Sequence, residues 1–124
     1  MIFIPNHEIY FCEHHAHRCF VYFYGFLKKK KKENIIGIIY EFMYNNSIYS
    51  NNFLYRIENN EIFSLMAINR TYQGIEYHHI NKLIHRDIKP SNVLLNHDFI
   101  PYISDFETIR QIDYEDDDKS NFFF

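Results

Sequence analysis

Four polar side chains in the second half of the chain have the types and spacing that phosphate chemistry requires. Residues 85–92 read HRDIKPSN, and residues 104–107 read SDFE. A carboxylate can accept the proton of an attacking hydroxyl, a lysine can neutralise phosphate charge, and magnesium prefers carboxylate and amide oxygens as ligands. The two segments therefore predict a site for metal-assisted phosphoryl transfer, formed by Asp87, Lys89, Asn92 and Asp105.

The same two segments resemble the catalytic loop and the metal-binding corner of a eukaryotic protein kinase. The resemblance implies that Asp87 is the base that accepts the substrate hydroxyl proton, and that Lys89 and Arg86 belong to the catalytic group. Asn92 and Asp105 would bind Mg²⁺, and ATP would be the phosphate donor. The lysine in KPSN is typical of the serine/threonine type, since the tyrosine-specific type usually has Ala-Ala-Arg there. The chain as a whole is most similar to the serine/threonine or tyrosine-kinase-like groups.

The resemblance extends upstream of the motif. Residues 7–26 are similar to the kinase helix called αC and the strand that follows it, and residues 38–43 are similar to the strand that leads into the hinge. Glu8 would be the αC glutamate that pairs with a lysine in the family, and Tyr40 would be the gatekeeper. The backbone after Tyr40 would face adenine. The nucleotide-binding residues implied in this way are Glu8, Tyr40, Glu41, Met43, Lys89, Asn92 and Leu94.

The pattern of apolar residues favours an α+β fold, and the resemblance makes it a partial protein-kinase-like one. Residues 1–43 would be the remainder of the N-lobe with the hinge, and residues 44–124 the start of the C-lobe up to the early activation segment. The predicted helices are 7–15, one short helix within the connector 45–60, and 61–79. Residues 62–84 resemble the kinase helix αE and its approach to the catalytic loop. The predicted extended segments are 19–27 and 35–43, which form a hairpin around a run of lysines, and 83–87, 93–95 and 100–104.

Two expectations concern packing. The helix at 61–79 has one apolar face, which we expect to be exposed because the kinase helices that bury it in the family are absent from this sequence. The residues of that face are Ile62, Leu65, Met66, Ile68, Tyr72, Ile75 and His79. The resemblance also implies a hydrophobic column that links the two lobes, with ordinary core packing as the alternative. Its members would be Cys12, Phe23, His85 and Phe106.

The sequence departs from the kinase pattern in three places. Nothing before Glu8 resembles a glycine-rich loop or a lysine-bearing strand, and no APE motif follows Asp105. Glu107 stands where the family has glycine, which restricts the backbone and adds a negative charge beside the metal site. We therefore expect no substantial kinase activity from these 124 residues alone. Two hypotheses remain: part of a longer, active kinase that phosphorylates serine and threonine, or a pseudokinase or kinase remnant that acts as a protein-interaction module.

The composition limits which partners and which cellular compartment we expect. The chain has a net charge of -3, which gives no general attraction to nucleic acid or anionic membranes. It contains neither a signal peptide nor an uninterrupted apolar run of about 18 residues. Two cysteines do not indicate a disulfide framework. We expect a cytoplasmic protein whose partner is a protein substrate or docking protein; the oligomeric state is not predicted.

A group of histidines and cysteines offers an alternative metal site. The segment 12–19 has the spacing C-x-H-H-x-H-x-C, formed by Cys12, His14, His15, His17 and Cys19. This spacing matches no common zinc motif, and adjacent histidines on a helix point to different faces. A surface with several histidines is the preferred interpretation.

Overall fold

A computed structural model describes residues 6–29 and 35–111 of the chain. The helices are α1 (Asn6–His14), α2 (Asn51–Asn59) and α3 (Glu61–Ile80). The strands are β1 (Phe23–Lys28), β2 (Ile35–Tyr40), β3 (Leu83–Ile84), β4 (Val93–Leu95), β5 (Pro101–Ile103) and β6 (Arg110–Gln111). They form three antiparallel pairs, β1 with β2, β3 with β6 and β4 with β5. The α+β class predicted from the pattern is confirmed.

The predicted hairpin is present, but its first strand is shorter than expected. Strands β1 and β2 pair with Phe26 opposite Ile38. Residues 19–21 do not belong to the hairpin, because they run beside β5. The Ile103 amide donates to the Cys19 carbonyl at 2.7 Å, and the Val21 amide donates to the Ile103 carbonyl at 2.9 Å. Strand β2 ends at Tyr40 and not at residue 43, and residues 30–34 of the lysine loop lie outside the described residues.

Helix α3 begins at a side-chain cap and packs closely on the C-terminal strands. The Asn60 side chain accepts a hydrogen bond from the Ile62 amide and so satisfies one free donor of the first turn. Further along, a Cβ atom built on Gly74 would lie 2.2 Å from Cδ1 of Ile103. Only glycine permits this approach of helix to strand without displacement. The Arg70 guanidinium adds a second link, donating to the carbonyls of Pro101 and Arg18, both at 2.6 Å.

The apolar face predicted for α3 is exposed, as expected. Four of its residues have between 62 % and 66 % of their surface accessible: Ile62, Leu65, Ile68 and Tyr72. The packed side of the helix is a different one, formed by Ala67, Gly74 and His78. His79, the last residue of the predicted face, is exposed as well, whereas its neighbour His78 is buried.

Two clusters of apolar side chains form the core. The larger one joins α1 to the C-terminal strands and contains Phe11, Cys12, Phe20, Leu83, Ile103, Phe106 and Ile109. The predicted column falls within it: Phe23 packs against the cluster, and the His85 ring lies 6.1 Å from that of Phe106. Phe106 also contacts Phe11 and Phe20, at 5.0 and 5.5 Å between ring centroids. The column is therefore part of a broad core centred on Phe106. The smaller cluster holds α2 and α3 together through Phe53, Ala67 and Leu95.

Candidate active site

The loop between β3 and β4 brings three of the predicted catalytic side chains together. The Asn92 side-chain amide donates to the Asp87 carbonyl at 2.9 Å and to its carboxylate at 3.1 Å. The Lys89 ammonium lies 3.6 Å from the other carboxylate oxygen of Asp87. The Asp87 side chain is one-third exposed, and that of Lys89 about half exposed. The loop thus presents a carboxylate and a cation to solvent, both oriented by neighbours within six residues.

Ser104 connects this loop to the strand end that carries Asp105. Its amide and its hydroxyl both donate to the Asn92 carbonyl, at 2.9 Å each. Sequence reasoning did not single out Ser104, because a serine before an aspartate carries no recognisable signal. These two hydrogen bonds to the loop nevertheless fix the spacing between the two predicted magnesium ligands, Asn92 and Asp105.

The buried His85 provides a second connection between the same segments. One ring nitrogen accepts from the Asp87 amide at 3.2 Å, and the other donates to the Ser104 carbonyl at 2.9 Å. These partners fit a neutral imidazole with its proton on Nε2. Burial lowers the pKa of His85, while the Ser104 carbonyl and the charges of Asp105 and Asp87 act in the opposite direction. A neutral ring is therefore the stable state at neutral pH.

Arg86, also predicted to be catalytic, points away from these groups. Its backbone has a φ of 68°, and its side chain donates to the Thr108 carbonyl at 2.9 Å. The Thr108 hydroxyl in turn donates to the His85 carbonyl at 2.5 Å. Arg86 therefore links the catalytic loop to the segment that follows Asp105.

Asp105 lies at the edge of a cleft of about 390 Å³. Its φ of 60° is a left-handed conformation that aspartate tolerates better than most residues. Four of the residues predicted to contact the nucleotide also line this cleft: Tyr40, Glu41, Met43 and Leu94. Asp87, Lys89 and Asn92 do not line it and are connected to it through Ser104.

The cleft and the loop have the groups that a nucleotide and Mg²⁺ require. Among the described residues, neither the Met43 amide nor the Glu41 carbonyl has a hydrogen-bond partner, so both can pair with a base. The Asn92 amide nitrogen is the atom turned towards Asp87, which leaves its oxygen available to a metal ion. Together with the exposed Asp105 carboxylate, this oxygen is a donor of the kind magnesium prefers.

Glu8, for which the sequence offered no partner, is bound by Tyr40. The Tyr40 hydroxyl donates to the Glu8 carboxylate at 2.8 Å and lies 3.2 Å from the Cys12 sulfur. Half-burial raises the pKa of Glu8, and the Tyr40 hydrogen bond opposes this effect. The charges of Glu107 and Asp105 raise it further, so Glu8 lies close enough to both to respond to them.

Glu107 occupies its position without a left-handed backbone. Among the described residues, Asp105 has a positive φ and Glu107 does not, so the restriction expected from replacing glycine costs nothing in this conformation. The Glu107 carbonyl accepts a hydrogen bond from the His7 ring of α1. The Glu107 side chain is exposed and contributes to raising the pKa of Glu8.

The alternative zinc site is not supported by the geometry. Within residues 6–29 and 35–111, no group of three or more histidine, cysteine or acidic side chains is placed to hold a metal ion. Cys12 and Cys19 are buried free thiols. The His15 ring instead bonds to the Tyr77 hydroxyl at 2.8 Å.

A membrane-spanning helix is also not found in the described part of the chain. None of its helices combines the length and the apolar character needed to cross a bilayer.

Comparison with known proteins gives one family and several relatives. The model of the protein kinase domain matches residues 5–123. A PR5-like receptor kinase of Arabidopsis thaliana is 37 % identical over 89 residues, which cover 66 % of this chain and 12 % of the relative. A G-type lectin S-receptor-like serine/threonine-protein kinase of the same plant is 39 % identical over 92 residues, covering 66 % of this chain and 11 % of the relative.

A relative from another organism provides a third match. Eukaryotic translation initiation factor 2-alpha kinase 2 of Plasmodium berghei (strain Anka) is 40 % identical over 58 residues, which cover 47 % of this chain and 2 % of the relative. The chain therefore spans between 2 % and 12 % of the length of these three relatives.

Proposed function

This chain belongs to the protein kinase domain family, and we propose that it contributes the catalytic loop and part of the nucleotide cleft of an enzyme that phosphorylates proteins. The observation that carries the proposal is the hydrogen-bonded set of Asp87, Lys89 and Asn92, attached through Ser104 to Asp105 at the edge of the cleft. This set contains a carboxylate, a cation and two oxygen-bearing side chains of the kind that magnesium prefers.

The resemblance to protein kinases gives each residue a proposed role, with which its contacts agree. Asp87, one-third exposed and oriented by Asn92, accepts the proton of the substrate hydroxyl. Lys89 neutralises the charge of the transferred phosphate. Asn92 and Asp105 hold Mg²⁺, which when bound screens the phosphate oxygens. The backbone of Glu41 and Met43 orients the adenine of ATP within the cleft.

Serine and threonine are the proposed acceptors. Lys89 within KPSN is typical of kinases with that specificity, and one relative is named a serine/threonine-protein kinase. The division into an N-lobe remainder with the hinge (1–43) and the start of the C-lobe (44–124) is part of the same proposal. A reducing, cytoplasmic compartment agrees with the two buried free thiols.

A pseudokinase that serves as a docking module is the second candidate. The observations that favour it are the engagement of Glu8 by Tyr40, where the family has a lysine, and the acidic side chain at position 107. The Glu107 carboxylate adds negative charge near Asp105, which opposes phosphate binding, and the Tyr40 hydroxyl gives Glu8 a neutral partner in place of a cation.

The two candidates are distinguished by phosphate transfer from radiolabelled ATP to a protein mixture, using the natural gene product that carries this chain. We expect Asp87→Asn to lower turnover by about 10²-fold or more, because the proton acceptor is lost, while nucleotide binding is retained. Asp98→Asn, at an exposed turn between β4 and β5, is the matched control and leaves turnover unchanged. Near-normal phosphorylation by Asp87→Asn contradicts the role of Asp87. Partner capture that survives Asp87→Asn combined with Asp105→Ala, in the absence of any transfer, favours the docking module.

A further inference from the structure

One tyrosine hydroxyl connects the end of strand β2 to two successive turns of helix α1. The Tyr40 hydroxyl lies 2.8 Å from the Glu8 carboxylate and 3.2 Å from the Cys12 sulfur. Glu8 and Cys12 are four residues apart, so they occupy the same face of the helix. The hydroxyl therefore holds that face of α1 at two points.

The protons of this arrangement can be assigned from the chemistry of the three groups. A tyrosine hydroxyl has a single hydrogen, and here it is donated to the Glu8 carboxylate. The Cys12 thiol must then be the donor in its contact with the Tyr40 oxygen. Burial raises the pKa of Cys12 to about 11, so the thiol keeps its proton at neutral pH. The order of donation runs from Cys12 through Tyr40 to Glu8.

The ring of the same tyrosine reaches the candidate active site. Its centroid lies 6.2 Å from those of Phe23 and Phe106, and the residue lines the cleft that also contains Asp105. Tyr40, at the end of the strand that leads to the hinge, thus contacts Phe23 of β1, the helix that carries Glu8, and the residue next to Asp105. No other described residue bonds to Glu8 by a side-chain hydrogen bond.

We propose that Tyr40 is a positioning residue whose hydroxyl, by holding Glu8, keeps helix α1 packed on Phe106 beside Asp105. The hydrogen bond to a carboxylate is of the strong, charge-assisted kind and is partly shielded from water. Its loss allows α1 to separate from β2 although the aromatic packing of the ring remains. The consequence for phosphate transfer rests on the proposed function, whereas the consequence for α1 does not.

Amide hydrogen exchange on the full chain tests the structural part. In Tyr40→Phe, the ring is retained and the hydroxyl removed, so we expect the amides of α1 to exchange about tenfold faster, with those of α3 unchanged. Tyr24→Phe is the matched control, since Tyr24 lies in β1 and is 65 % exposed. It leaves exchange in both helices unchanged. Exchange in α1 that is identical in Tyr40→Phe and the wild type overturns the proposal.

Substitution of the acceptor separates this hydrogen bond from general effects on packing. Glu8→Gln keeps an oxygen that can accept from the Tyr40 hydroxyl, so the α1 amides should exchange more slowly in this variant than in Glu8→Ala. In Glu8→Ala, they should exchange as fast as in Tyr40→Phe. The double variant Tyr40→Phe with Glu8→Ala shows no further increase over either single variant. A Glu8→Gln variant as fast as Glu8→Ala, or additive effects in the double variant, contradicts the proposal. If Tyr40→Phe does not fold, the comparison of Glu8→Gln with Glu8→Ala still tests the proposal.

Kinetics of the natural gene product test the consequence for the reaction. Tyr40→Phe is expected to lower kcat more than it raises KM for ATP, because the ring that lines the cleft is still present. A change confined to KM contradicts a positioning role. If no phosphate transfer is found in the wild type, the proposed function fails, and faster exchange in α1 of Tyr40→Phe still supports the anchoring of this helix by Tyr40.

Discussion

His78 is a buried residue whose side chain lacks hydrogen-bond partners. It is 3 % exposed, and within the described residues neither ring nitrogen has a partner. The ring is stacked on Phe20 at 4.9 Å and lies 5.7 Å from both Phe11 and His85. Burial is the main cause that lowers the pKa of His78 to about 3, and the neighbouring His85 adds to it. Folding therefore requires this imidazole to be neutral.

The sign of the resulting pH dependence follows directly. The unfolded chain binds a proton at His78 near pH 6.5, whereas the folded chain does not until about pH 3. Stability is thus complete above pH 6.5 and falls by about 1.4 kcal/mol for each pH unit below it. The lowered pKa values of His15, His17 and His85 act in the same direction.

Replacement of this histidine by leucine tests the effect. We expect His78→Leu to raise the free energy of unfolding at pH 7 by about 1–3 kcal/mol, because two desolvated polar atoms are removed. The loss of stability between pH 7 and pH 5 becomes smaller by about 2 kcal/mol. Urea unfolding at a series of pH values measures both. His79→Gln, at the exposed neighbouring position, should leave the pH dependence as it is. An unchanged pH dependence in His78→Leu would show that His78 is not buried as a neutral ring.

The individual residues also show which parts of the candidate site can be predicted from the sequence. Asp87, Lys89 and Asn92 lie within six residues, so the local loop alone brings them together. The hydrogen bond between Tyr40 and Glu8 joins residues 32 positions apart, and it depends on how α1 packs against β2. Ser104 contacts Asn92 for a similar reason. The roles assigned to these residues remain predictions until variants are measured.

At the level of secondary-structure elements, the length of the first strand shows how tertiary contacts override local propensity. Residues 19–27 are mostly aromatic or β-branched, so propensity favours one strand. In the structure, residues 19–21 pair with Ile103 and only residues 23–28 pair with β2. The hairpin itself was predictable because both strands are close in sequence. The change of partner was not, because β5 lies 80 residues further on.

The contact between α3 and β5 depends on the absence of a side chain at position 74. A Cβ atom there would lie 2.2 Å from Cδ1 of Ile103 and 3.3 Å from the Phe20 ring. We expect Gly74→Val to lower the free energy of unfolding by about 1–3 kcal/mol, because Ile103 is fully enclosed and has little room to move. Chemical denaturation measures this loss.

Gly37→Ala in β2 is the matched control for Gly74→Val. The nearest atom to a Cβ at position 37 is 3.7 Å away, which is an ordinary contact, so this variant should retain the wild-type stability. Equal stability of Gly74→Val and wild type would contradict the close packing of α3 on β5.

At the level of the whole molecule, the apolar face predicted for α3 is exposed in the described part of the chain. Ile62, Leu65, Ile68 and Tyr72 of α3 are each more than 60 % exposed, and α2 adds Leu54 and Tyr55. The spacing of the α3 residues predicted the helix and its exposed apolar residues correctly. It did not reveal that Ala67, Gly74 and His78 form the packed side, because two of these residues are neither large nor strongly apolar.

A pair of polar substitutions tests whether this face contributes to stability or only to surface hydrophobicity. We expect Leu65→Gln combined with Ile68→Lys to reduce the fluorescence of the dye ANS, which binds exposed apolar surface. The free energy of unfolding should change by less than about 0.5 kcal/mol, because both side chains are mostly in water and both replacements are good helix formers. Glu76→Gln, an exposed polar position on the same helix, is the control and should leave dye binding unchanged. A stability loss of several kcal/mol would instead mean that Leu65 and Ile68 are packed in the molecule in solution, since exposed side chains cannot account for a loss of that size.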